Sequence, residues 1–219
     1  SEHYQFFYFL DSIVARDIAQ IIEIQESAFK KILTFLQVEA PDRRITYYLY
    51  PDEVIKTALM GDGWYAQSIY DEFCIHALYT DKIKAIGPHE DTHLLSLPWG
   101  LSIGFLQEGL AEYMVGNAWD GKPHHEYVRE GIKKKMYPKL ATFMRHEAWL
   151  ETNDEQAIYF YSLAATFVAF LISTYGKQKF EQLYKQTGRK QSVEQNSSVF
   201  SEVYGKEIAL LEYEFFEQV

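Results

Sequence analysis

The chain has 219 residues, enough for one full domain or two tightly apposed lobes that bury a sizeable core without cross-links. A formal charge of −10, with 31 acidic against 21 basic residues, argues against nucleic acid as a partner, because phosphate-backbone affinity needs clustered Lys and Arg. The single cysteine, Cys74, excludes an intrachain disulfide, and no apolar run reaches the ~18 uninterrupted residues of a membrane span.

The one basic run, Lys133-Lys134-Lys135, reads as a solvated helix face. The opening SEHYQFFYFLD has neither a basic n-region nor a cleavage site. Because the chain opens on Ser rather than Met, a secreted or cell-surface location after leader removal is favoured over the cytoplasm.

In chain order, the aromatic-rich residues 4–9 predict a strand, and the apolar spacing over residues 13–36 predicts a helix that ends before Pro41-Asp42. Residues 44–50 (RITYYLY) are rich in β-formers and stop at a Pro51-Asp52 turn. Residues 72–80 (EFCIHALYT) alternate in the same manner. Between these strands, Gly61-Asp62-Gly63 reads as a flexible connection arching over the sheet. The strand at 72–80 is expected to be the edge on which an extended peptide pairs.

From Pro88 onward strand signals nearly vanish, and helices are expected, broken at Pro98-Trp99-Gly100, Gly121-Lys122-Pro123, Gly176 and Gly188. Residues 191–198 read as a short polar stretch. The fold class expected is α+β: a small mixed lobe with a short sheet over residues 1–97 and a mainly helical lobe over 98–219, with a cleft between them.

The chemistry concentrates in His89-Glu90-Asp91-Thr92-His93, an H-E-x-x-H pattern behind Gly87-Pro88. Residues four apart share a helix face, so both imidazoles can point at one ion about 2.0–2.1 Å away, with Glu90 at its rim. Pro88 suits the first helical turn, where its missing N–H costs nothing, and Pro98 stops the helix. A catalytic zinc site requires a third protein ligand from elsewhere and an open position for water. Gln107-Glu108-Gly109-Leu110-Ala111-Glu112-Tyr113 offers two carboxylates four apart on a predicted helix. One can ligate, and the other can reach back to the free ring nitrogen of a ligating histidine.

On GPHEDTH and QEGLAEY the chain resembles the gluzincin zinc metallopeptidases, in particular the peptidase-MA-like group related to aminopeptidase N and, more distantly, thermolysin. The resemblance implies a zincin-like fold over one 1–219 domain and Zn2+ held by His89, His93 and Glu108. It makes Glu112 the carboxylate behind a ligating histidine and Glu90 the general base. The helix from Tyr161 to Leu171 is similar to the aromatic helix that follows the metal site in that group, which implies Tyr161 as the donor to the developing oxyanion. The 14 residues between His93 and Glu108 are fewer than in the best-known gluzincins.

The expected function is therefore hydrolysis of peptide bonds in a peptide or protein substrate by metal-activated water. The competing expectation is a peptidase-like binding or regulatory module that keeps the metal without turnover. His76 reads as a structural histidine in its strand, and His124, His125 and His146 as surface bystanders. Substrate sequence and oligomeric state depend on surface shape rather than on the motif.

Overall fold

Aromatic and β-branched residues build a four-stranded sheet near the N-terminus of the computed structural model, which describes residues 1–152 and 154–219. The chain divides into two units, Ser1–Pro98 and Trp99–Val219. Its class is α+β, with a small mixed sheet and mostly helical content.

In the first unit the order is β1 (Tyr4–Tyr8), α1 (Ile13–Leu36), β2 (Ile45–Tyr50), α2 (Glu53–Met60), β3 (Ala66–Ile69), β4 (Cys74–Leu78) and α3 (Pro88–Leu95). The sheet runs β1-β2-β4-β3, with β1, β2 and β4 parallel and β3 antiparallel to β4. Strand β4 is buried along its whole length, as expected of a strand paired on both sides. Helix α1 buries Val14, Ile21, Gln25, Ala28, Phe29, Ile32 and Leu36, a helical stripe whose Phe29 meets the Tyr4 ring edge-on. Each large apolar side chain so buried contributes roughly 1.5–3 kcal/mol.

Gly61-Asp62-Gly63 is a connection as expected, flanked by a helix and a strand that carried no sequence signal, and the second of these corrects the expected sheet edge. Asp52 caps α2 by accepting from the Ile55 N–H at 2.7 Å, Gly61 ends it with φ 84°, and β3 follows. Strand β3, rather than the strand within residues 72–80, is therefore the sheet edge on that side, because β4 has β2 and β3 as neighbours.

The second unit contains α4 (Gly104–Val115), α5 (His124–Lys133), α6 (His146–Leu150), α7 (Ala157–Tyr175), α8 (Lys177–Gln186), α9 (Val193–Tyr204) and α10 (Ile208–Gln218). Helix α7 is its core, packed against α4, α5 and α8. At the α4 crossing, a Cβ on Gly109 would stand 2.7 Å from the Ala164 carbonyl oxygen and 2.7 Å from Val168 Cγ2, so only glycine allows this approach. Helix α7 is also long and apolar enough, by length and composition, to cross a membrane. Leu163, Ala164, Phe167, Val168 and Leu171 on it are buried within the protein. The polar stretch 191–198 opens α9 through a capping box in which Ser192 and Gln195 bond each other's backbone N–H.

Candidate metal centre

Pro88 opens α3, and Gly87 precedes it at φ 110°, a backbone conformation open to glycine and strained for other residues. The Gly87 N–H donates to Gln25 Oε1 at 2.5 Å, which fixes the chain direction into the helix. Thr92 Oγ bonds back to the Pro88 carbonyl at 2.6 Å. The short helix is thus held at its entry by α1 as well as by its own turns.

His89 and His93 stand one turn apart, their ring centroids 5.0 Å from each other and their planes at 80°. Two imidazoles binding one tetrahedral ion through nitrogens about 2.0–2.1 Å away would have centroids about 5.2 Å apart, so the pair suits a zinc ion of that geometry. His93 is buried and His89 half-buried.

Glu90 points to the sheet edge. Ser68 on β3 stands with its hydroxyl 2.6 Å from Glu90 Oε2 and 3.0 Å from the Glu90 carbonyl oxygen. One hydroxyl proton serves one of the two at a time, and both bonds tie α3 to β3.

Asp91 faces the opposite way and is fully buried. Its carboxyl receives Gln25 Nε2 at 3.2 and 3.1 Å and shares a short hydrogen bond with the Tyr4 hydroxyl. Burial pushes the Asp91 carboxyl well above the usual carboxylate range, against the lowering effect of the Tyr4 bond. In the protonated form it donates to the Tyr4 oxygen, and Tyr4 donates in turn to the Gln25 carbonyl at 3.1 Å. The two middle positions of the motif thus have opposite duties: Glu90 is presented at the sheet edge, and Asp91 anchors the helix to β1 and α1.

In the second unit, Glu108 and Glu112 lie one turn apart on α4, Glu108 half-buried and Glu112 buried. Glu112 Oε2 is 3.3 Å from His124 Nε2, an ion-pair distance. His124 Nδ1 bonds with Ser162 Oγ on α7 at 3.0 Å. His124 is therefore no surface bystander, and neither is His146. The His146 Nδ1 accepts the Gly104 N–H at 3.0 Å and so caps α4, while burial and then Arg189 lower its pKa against Glu147 and Glu108. His125 is exposed, as expected. Tyr161 on α7 is half-buried, with its ring edge-on to Trp149 at 5.2 Å and to Trp119 at 6.0 Å.

Sequence reasoning missed Ser68, Gln25, Tyr4, Ser162 and the burial of His124. Among these only His124 carried a signal: it stands directly after Pro123, at the first turn of a helix. No family model matches this chain, and no curated protein matches it in sequence.

Proposed function

We propose that the protein is a zinc-dependent peptidase with a zincin-like, gluzincin-type site, in which His89, His93 and Glu108 hold the ion and Glu90 is the general base. The observation that carries this reading is the α3 geometry: two perpendicular imidazoles 5.0 Å apart with the intervening carboxylate held by Ser68. The carboxylate matters because metal binding alone does not require a base beside the ligands.

A zinc ion held there supplies Lewis acidity and lowers the pKa of a water molecule towards about 7. The side chains do the rest. Glu90 takes up the proton of the attacking water and returns it to the leaving amine. Glu112 orients and increases the basicity of a ligating imidazole, and Tyr161 donates to the oxyanion. An extended peptide pairing with the outer edge of β3 would lie beside Ser68 and Glu90, with its backbone fixed by ladder hydrogen bonds.

The test is metal content and cleavage of casein and a peptide library by the wild-type protein and a Glu90→Gln variant. About one zinc per chain at His89 and His93, with cleavage lost in the variant, supports the peptidase. Zinc at that site without cleavage supports a binding module that has kept the ligands, and absence of any metal there removes the site assignment.

A further inference from the structure

A second set of metal-ligand side chains lies on the other part of the sheet, within the first unit and outside the α3 motif. Cys74 and His76 are alternate residues of β4 and so share a face, and Glu72 lies just before the strand. Between them Phe73 is a buried, non-glycine residue at φ 54°, with the Arg43 guanidinium 4.4 Å over its ring. Such a backbone persists only where its surroundings hold it. Glu72, two residues before Cys74, keeps its carboxylate on the thiol side across this residue.

The distances are those of a coordination sphere. Cys74 Sγ lies 3.4 Å from His76 Nε2 and 3.7 Å from Glu72 Oε2, and all three donor atoms lie within 4.8 Å of one another. A tetrahedral zinc with Zn–S of about 2.3 Å and Zn–N or Zn–O of about 2.0–2.1 Å requires S···N and S···O separations of about 3.5–3.6 Å. The imidazole is also oriented. His76 Nδ1 hydrogen-bonds with the Tyr50 hydroxyl at 2.7 Å, and the ring stacks on Tyr48 at 4.6 Å and 11°, so Nε2 is the nitrogen turned to the thiol. Cys74 and His76 are buried while Glu72 is exposed, which gives an ion a way in and a position for water. The nearby cation, Lys56 on α2, is paired with Asp62 at 2.7 Å, so it does not leave an uncompensated positive charge.

We propose that Glu72, Cys74 and His76 form a second, thiolate-containing site for a borderline divalent cation of the zinc type. Cys74 coordinates as the thiolate and gives its proton to the buffer. The imidazole keeps its one proton on Nδ1, where it donates to the Tyr50 oxygen, and Nε2 carries the lone pair. The mixed S, N, O set favours zinc or cobalt over magnesium or calcium, which prefer oxygen alone.

Cys74 is the only cysteine in the chain, and this gives the test its selectivity. Chelator-stripped full-length protein is titrated with Co2+ and followed in the near ultraviolet, where a thiolate-to-cobalt charge-transfer band reports sulfur ligation and His/Glu ligation gives none. The wild-type protein should develop this band, Cys74→Ser should lose it together with one equivalent of bound metal, and a His89→Ala/His93→Ala double variant should keep it. His76→Gln should weaken the Co2+ affinity read from the band at least tenfold. With the wild-type protein alone, saturating Zn2+ should slow alkylation of Cys74 by iodoacetamide at least tenfold. A saturated wild-type protein without the band, an unchanged affinity in His76→Gln, or no protection of the thiol would each overturn the proposal.

Discussion

Ser68 Oγ stands 2.6 Å from the Glu90 carboxylate, joining the edge strand of the sheet to the middle of the H-E-x-x-H helix. A carboxylate that must accept and return a proton works best when its rotamer is fixed, and a hydrogen bond to a charged group stabilises by roughly 1.5–3 kcal/mol. On the proposed peptidase reading, Ser68→Ala should leave His89 and His93 in place and lower kcat about tenfold, equivalent to about 1.4 kcal/mol of transition-state stabilisation, with KM little changed. Ser68→Thr, which keeps the hydroxyl, should restore most of the rate. Equal kcat values for wild type and Ser68→Ala would show that Glu90 needs no such support.

Asp91 is the anchor of the same helix, so its replacements should act on stability. Asp91→Ala leaves Gln25 Nε2 without its buried acceptor and opens space beside Tyr4, at a cost of about 3 kcal/mol in urea unfolding. Asp91→Asn preserves the pattern: its oxygen accepts from Gln25 and its amide donates to the Tyr4 oxygen, as the protonated acid does. That variant should lie within about 1 kcal/mol of wild type. A large loss in Asp91→Asn would mean that the buried carboxyl is ionised after all.

These two residues also mark what could be read from the sequence. Helix α1 runs from Ile13 to Leu36 as its apolar spacing predicts, and strands β1, β2 and β4 lie inside the β-former runs, because period and propensity are local signals. The placement of His89 and His93 on one helix face follows from their spacing alone. Strand β3 was invisible, since Ala66-Gln67-Ser68-Ile69 has no burial alternation to display; it is half-buried throughout and is held by its pairing with β4. Ser68, Tyr4 and Gln25 reach α3 from 22, 87 and 66 residues away, and no local pattern encodes a contact made by tertiary folding. The same holds for His124, whose burial depends on Ser162 and Glu112 from two other helices.

The glycine of QEGLAEY has a packing duty that can be measured apart from any chemistry. A methyl group at Gly109 meets the backbone oxygen of Ala164 at 2.7 Å, an atom that cannot move without shifting α7. Gly109→Ala should therefore destabilise the protein by about 2 kcal/mol despite the better helix propensity of alanine, while larger residues should prevent accumulation of folded protein. A urea midpoint equal to or above that of wild type would contradict the close approach of α4 and α7.

The N-terminal strand is secured by a titratable pair, and this sets one acid limit of the fold. Glu26 on α1 accepts from the His3 backbone N–H at 3.0 Å and pairs with His3 Nδ1 at 2.6 Å, while the His3 ring stacks on Phe29 at 4.0 Å. Burial alone would raise the Glu26 carboxyl, but the hydrogen bonds from His3 outweigh it and hold the value down to about 2, below the ordinary 4.5. Because the folded value is the lower one, the unfolded chain binds more protons in this range. The pair's contribution is present above about pH 4.5 and is lost as pH falls towards about 2. Partial solvent screening limits that contribution to on the order of 1–2 kcal/mol. In thermal unfolding followed from pH 6 to pH 2, in roughly one-unit steps, wild type should lose more stability than Glu26→Gln, and the two curves should converge at the acid end. Parallel curves over the whole range would show that Glu26 keeps its ordinary pKa in the folded protein.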